Sequence, residues 1–427
     1  MNSFTRIVLI IIFFGTNHAN LQAQRKKPLL SEEELQKEMV YRSLDEAMMQ
    51  KRRVYRLNLT GQELNSLPDK MNKFIRLQEL TLSNNNFTEI PEVIFSLPNL
   101  QKLNFGENDL VNLPPEIANL KSLTVLDLFS NKITHLPPEI GALKNLEHLD
   151  LNWNSVIILP DEITNLTNLK RLYLDKNKLS SLPEKIGNLT QLEEIKLFQN
   201  RLDSLPASFG ALSGINELNL SKNSLTSLPA EINKLMHLKH LDLSQNQLQS
   251  IPDLTGLNEL QELLLFNNNI VSFKMASTEL PVLHTLNLSI NKINHFEVNP
   301  EKLSSLTALD LEFNSLPHIP ESVYKLTSLL ILNVSRNNIK KITPEVAYLT
   351  NIEVFDAGDN NIYSLSKSIG QCTSLRELDL SNNDLHLMPP QLKDLDNLEY
   401  LYLQGNKFSN KWKNRIQGYV KPAKVMF

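Results

Sequence analysis

The chain has 427 residues, with 43 Lys and Arg against 47 Asp and Glu, a formal net charge of −4. That balance leaves no basic field to hold nucleic acid by its phosphates, and neither G-x-G-x-x-G nor G-x-x-x-x-G-K-[ST] is present to cradle one. Hydrophobic residues make up 41% and charged residues 21%, a soluble composition, and the single cysteine, Cys372, excludes an intramolecular disulfide.

Residues 1–23 read as a removable export signal. Arg6 supplies a basic start, "IVLIIIFFG" (7–15) an apolar core, and "LQA" a cleavage site after Ala23. The core is too short to span a bilayer comfortably, which favours a cleaved signal over an uncleaved membrane anchor, and no stable membrane insertion is expected after cleavage. No cysteine follows it for lipid attachment. Export without disulfide staples fits a bacterial periplasmic, cell-surface or secreted protein.

Residues 24–53 read as an N-terminal tail, Gln24 to Pro28, and a helical cap. "SEEE" (31–34) and "SLDE" (43–46) both have the S-x-x-E form of a capping box. Leu44, Ala47 and Met48 then share one helical face, placed to cover the apolar chain beyond residue 53.

From 54 to 408 the chain repeats. Aligning on one asparagine gives Gln62, Asn85, Asn108, Asn131, Asn154, Asn177, Asn200, Asn223, Asn246, Asn268, Asn291, Asn314, Asn337, Asn360, Asn383 and Asn406. The step is 23 residues except between Asn246 and Asn268, where it is 22. Three and five places before each asparagine stand apolar side chains, as in Leu126 and Leu128, and this period of two predicts a short strand with one buried face. The asparagine falls where the chain turns away, and its amide can satisfy buried backbone groups there. The back half, as in "LPPEIANLKSL" (113–123), predicts a proline-pinned turn and a short helical or irregular closure. One unit cannot bury its own apolar edge, whereas sixteen stacked units share a continuous core. After the last unit, 409–427 reads as a C-terminal cap. Trp412 and Ile416 lie on one helix face, Gly418 and Pro422 interrupt it, and "KVMF" is placed to add a final strand.

The units match L-x-x-L-x-L-x-x-N-x-L, with Gln62 replacing the first asparagine. This resembles the leucine-rich repeat family in its 23-residue form with "LP" in the back half, most like its exported bacterial members. The resemblance implies an α/β solenoid, a horseshoe of about 16 repeats with parallel strands on the concave face and helical caps at both ends. It is nearly silent on function. The leader favours an exported, non-catalytic module that binds a protein, or a glycan, on the concave face. The resemblance to cytoplasmic Ras-pathway scaffolds offers an alternative, an intracellular regulator of a small GTPase.

Side chains six, four and two places before each asparagine point from the core, and the residue just before it sits at the strand's end. Strands about 4.8 Å apart would make this an arc of roughly 75 Å. Two groups of neighbouring units carry apolar side chains there: Val125, Phe129, Trp153, Tyr173 and Phe198, then Leu264, Phe266, Ile290, Phe313 and Ile331. Tyr400 and Tyr402 follow on the last unit. Of these, Phe129, Trp153, Tyr173, Phe198, Phe266, Ile290 and Phe313 are the candidate ligand contacts. The other reading folds the rings over neighbouring repeats. Beside the second group, "FKMASTELPVL" (273–283) and "FEVNPEKLSSL" (296–306) lose the "LP" form, through tolerated drift or to bend the solenoid.

Catalytic and metal readings find little support. Asp127, Asp150, Asp242, Asp310, Asp356 and Asp379 recur four places before the asparagine, and adjacent strands would bring Asp127 and Asp150 to about 5 Å. They read more simply as the solvated "LDLS" form of the repeat. His295 and His318 occupy equivalent positions one unit apart with no third ligand in view, so neither a metal nor a cofactor is expected. Cys372, with no matched histidine, reads as a small core residue. Repeats and caps leave no stretch to house a separate catalytic domain.

Overall fold

The computed structural model describes residues 29–275, 277–420 and 423–427. The proposed leader and tail, residues 1–28, lie outside the described residues, as does Pro422.

Each repeat contributes a strand of three residues to one open, all-parallel sheet. Eighteen strands form it. Sixteen come from the repeats, Val40–Tyr41 pairs in parallel beside Arg56–Asn58, and Lys424–Met426 pairs beside Tyr400–Tyr402. Registry is uniform from unit to unit: Leu126 stands opposite Leu149, and Leu149 opposite Leu172. The inward leucines and the back-half apolar residues merge into one core running from Tyr41 to Val420. Burial of this kind is worth about 1.5–3 kcal/mol per large aliphatic side chain.

The repeat asparagines lie in this core. Asn154 is 8% exposed. Its Nδ2 donates to the Leu151 carbonyl in its own unit (3.1 Å) and to the Leu128 carbonyl in the preceding one (2.9 Å). Its Oδ1 accepts the Ile133 N–H at 2.9 Å. Equivalent bonds recur from Asn85 to Asn406. Gln62 has no unit before it, and its Nε2 donates instead to the Arg42 carbonyl of the cap.

The back halves mostly form short 3-10 helices such as Pro115–Asn119, with Ile117 buried. Four units add a short strand there. Ser272–Met275 pairs with His295–Val298, and Lys341–Ile342 with Ser364–Leu365, as small parallel sheets behind the main one. The cause is local. In these units Lys274, Glu297, Thr343 and Ser366 stand where the other back halves have proline after the apolar residue. Proline lacks the N–H that a ladder needs. The N–H of Ser366 donates to the Ile342 carbonyl at 3.0 Å. Phe273 and Phe296 stack face to face, centroids 5.5 Å apart.

At the N-terminal end, Ser31 and Glu34 form the reciprocal box that starts the helix Glu32–Lys37. Ser43 does not follow the same expectation. The chain reaches it from the Val40–Tyr41 strand at φ −132°, and its side chain makes no cap bond to the helix Leu44–Met49. Ala47 of that helix is buried, and Leu44 and Met48 pack on the core. At the other end Gly418 does not interrupt the helix, which runs Asn410–Tyr419. The cap bond from the Trp412 N–H to Ser409 and the buried Ile416 hold it, against a helical cost of about 1 kcal/mol for glycine.

Candidate binding surface on the concave face

The strand period leaves three outward rows per unit, and the turn adds a fourth. The residue before the ladder asparagine has a left-handed backbone, φ between 50° and 56°, at fourteen non-glycine positions from Asn84 to Asn382. L-residues avoid this region because Cβ crowds the following carbonyl, and short polar side chains suffer least. Eleven of these fourteen positions hold Glu, Asn, Asp, Ser, Lys, Gln or Arg. The other three are Trp153, Ile290 and Phe313. They are 52%, 42% and 54% exposed. Burial therefore does not explain them. For the β-branched Ile290 the conformation is a clear outlier.

Trp153 is not folded away. Phe129 of the preceding unit meets it edge-on, centroids 6.5 Å apart, and the Lys176 ammonium of the next unit sits 3.4 Å from its ring centre. The same motif continues. Lys196 lies 4.3 Å from the Tyr173 ring centre and Lys222 5.2 Å from that of Phe198. Val125, Phe129, Tyr173 and Phe198 are half-buried. His148 packs edge-on against Tyr173 at 4.8 Å, and the Tyr173 hydroxyl donates to Glu194. Burial and that carboxylate push the Tyr173 hydroxyl up to about 12. Burial lowers the His148 pKa, helped by Arg171.

In the second group Leu264 and Phe266 are half-buried, whereas Ile290, Phe313 and Ile331 are exposed. Tyr400 and Tyr402 stack on each other at 6.4 Å. Six strand spacings separate Trp153 from Ile290, roughly 29 Å along the arc. The two groups are therefore separate patches. Between them lies a polar notch lined by Glu217, Asn219, His240, Asp242 and Glu262.

Contrary to the expectation from the repeat form, the aspartates are not simply solvated. Asp127 stands opposite Asp150 across adjacent strands. Asp127 accepts the Asn104 amide at 2.7 Å and the Phe129 N–H at 3.0 Å, and Asp150 accepts the Asn152 N–H at 2.8 Å. Half-buried, they are held above the usual carboxylate range by desolvation. Asp150 is raised to about 6, with Asp127 adding repulsion. Asp356, opposite Asp379, is likewise raised to about 6 by desolvation. Each carboxylate serves the turn two residues on, and no acid–base pair aimed at an open cleft results.

Among the described residues, no group of three or more His, Cys, Asp or Glu side chains could hold a metal ion. His295 lies 3.4 Å from Glu297. Cys372 is fully buried, its thiol pointed at the Val346 carbonyl and its pKa pushed up to about 12 by burial. Sequence reasoning misses the left-handed row and the lysines over the rings. The first has a visible signal, the near-uniform polarity of the position before the asparagine.

Comparison with known proteins agrees with this geometry. A leucine-rich repeat model matches residues 52–110, 75–133, 213–270, 327–385 and 350–408, and a leucine-rich repeat region model matches 126–220. A leucine-rich repeat protein of Leptospira interrogans is 34% identical over 91% of this chain and all of its own, with a TM-score of 0.65. The chain belongs to the leucine-rich repeat family. YopM from Yersinia enterocolitica is 26% identical over 92% of this chain and 78% of its own, with a TM-score of 0.63. The plant peptide hormone receptor RGFR1, solved in complex with RGF2, is 29% identical over 82% of this chain and 59% of its own, with a TM-score of 0.58. No curated protein matches the chain. No helix of the described residues is long and apolar enough to cross a membrane.

Proposed function

We propose that this chain is an exported, non-catalytic module that binds a protein ligand on its concave face. Trp153, Ile290 and Phe313 anchor the ligand from the rim, and Phe129, Tyr173, Phe198 and Phe266 support them from the adjoining rows. One observation carries the reading. In a row whose backbone disfavours bulky side chains, three large apolar residues stand exposed. Local strain kept on exposed side chains marks functional surfaces. The likeness to a receptor solved with its peptide hormone supports a protein ligand. Export rests on the leader at residues 1–23.

The test is affinity capture with the full chain beside a Trp153→Asn/Ile290→Asn/Phe313→Asn variant. Asn occupies the same left-handed position in three other units, so the variant keeps its fold. The captured ligand is expected to bind the variant at least 30-fold more weakly. Equal affinity would remove the rim from the account. Mass spectrometry of the native N-terminus tests export separately, with a start at Gln24 expected.

A further inference from the structure

Resting on that reading, we infer that the first patch takes an extended acidic-apolar peptide segment rather than a glycan. Three rings of this patch, Trp153, Tyr173 and Phe198, each already carry a lysine ammonium over a face. Lys176 covers Trp153, and Lys222 stands over Phe198. Among the described residues neither ammonium makes an ion pair with a carboxylate. The nearby acid Asp175 accepts the Phe198 N–H at 2.7 Å and feels Lys176 only as a charge beyond ion-pair distance. Lys196, by contrast, is 3.4 Å from Glu194. A chain of net charge −4 thus sets two cations outside any ion pair on its aromatic patch.

A sugar binds an aromatic residue by laying its C–H face on the ring, and here Lys176 occupies one face of Trp153. A peptide carboxylate has no such conflict. It pairs with the ammonium where it stands, while a neighbouring apolar side chain packs on the open edges of Trp153 and Phe129. Charge complementarity of this kind fixes register and steers encounter.

Spacing narrows the ligand further. Lys176 and Lys222 belong to units two apart, so their backbones are about 10 Å apart along the arc. A polyproline II segment rises about 3.1 Å per residue with three residues per turn. Two acids three residues apart then lie on one side, about 9 Å from each other. The surface fits a segment of the form acid-apolar-x-acid running along the arc across the strands.

The probe is an end-blocked, fluorescein-labelled Glu-Phe-Pro-Glu-Phe-Pro-Glu peptide, with a control carrying Gln for every Glu, and chitohexaose as the glycan. Affinities for the full chain are read by anisotropy and calorimetry. The acidic peptide is expected to bind at least 10-fold tighter than its control and to weaken steeply between 50 mM and 500 mM salt. Lys176→Gln/Lys222→Gln is expected to reduce it to within 3-fold of the control. Gln already occupies that left-handed position at Gln199 and Gln245, so the variant folds. Equal binding of the two peptides, no loss in the double variant, tighter binding of chitohexaose, or no binding of the acidic peptide each overturns the acidic-segment proposal. If captured ligand still depends on Trp153 in those cases, the concave-face reading stands. If it does not, both fall.

Discussion

At the residue scale, the position before the ladder asparagine separates what the fold wants from what is present. The fold wants a residue that tolerates φ near +55°, and Asn, Lys or Gln satisfy it. Ile290 does not, and its exposed side chain recovers little by packing. Ile290→Asn should therefore stabilise the protein by about 1 kcal/mol, the scale of the left-handed penalty for a side chain with Cβ. Urea unfolding checks this, and a loss of stability would show that Ile290 serves the core. A second residue-scale expectation concerns pH. Asp150 and Asp356 titrate in the folded protein at about 6 against 3.8 for a free side chain. With the folded pKa raised, the native state holds protons that the unfolded chain has released. Their contribution to stability is thus present below about 4 and lost as pH rises through 6. Asn at either position keeps the acceptor oxygen for the turn, as at Asn104 and Asn219. Asp150→Asn/Asp356→Asn should raise the thermal midpoint at pH 7.5 and change it little at pH 3.5. The opposite ordering would contradict the burial described for these carboxyls.

At the element scale, the strands and the asparagine ladder are legible in the sequence because a period of two leaves little freedom. A one-residue slip would turn Leu149 outward and bury His148. The back halves are only partly legible. Units whose apolar residue lacks a following proline pair behind the sheet, and Phe273 and Phe296 stand out by their lost "LP" form. Ile342 and Leu365 obey the same rule but keep enough of the ordinary pattern to escape notice. The caps are legible as elements but not in their detail. Whether Ser43 caps, or Gly418 breaks a helix, depends on the packing around them. Ile416 is the buried key of the last helix. Ile416→Ala should cost about 2–4 kcal/mol by opening a cavity. It should first raise amide exchange in Tyr400–Tyr402, since a solenoid frays from a weakened end. Uniform loosening across all repeats would contradict that local coupling.

At the scale of the whole molecule, nearest-neighbour stacking makes the array long, open and locally independent. Its core is readable because every unit repeats it. Its surface is not, because function lies in departures from the repeat. Trp153 is visible as one such departure, whereas the lysine above it comes from a flexible side chain in the next unit that no spacing rule reports. The two apolar patches, separated by a polar notch, suit a ligand that follows the arc instead of filling one pocket. The most direct test is hydrogen–deuterium exchange of the chain with and without its captured protein ligand. The account predicts added protection in the strands and rim turns of residues 125–131, 148–154, 171–177 and 194–200, and again around 264–268, 287–291 and 310–314, with the 3-10 helices behind them unchanged. Protection confined to those back helices, or to the two caps, would contradict binding through the concave face.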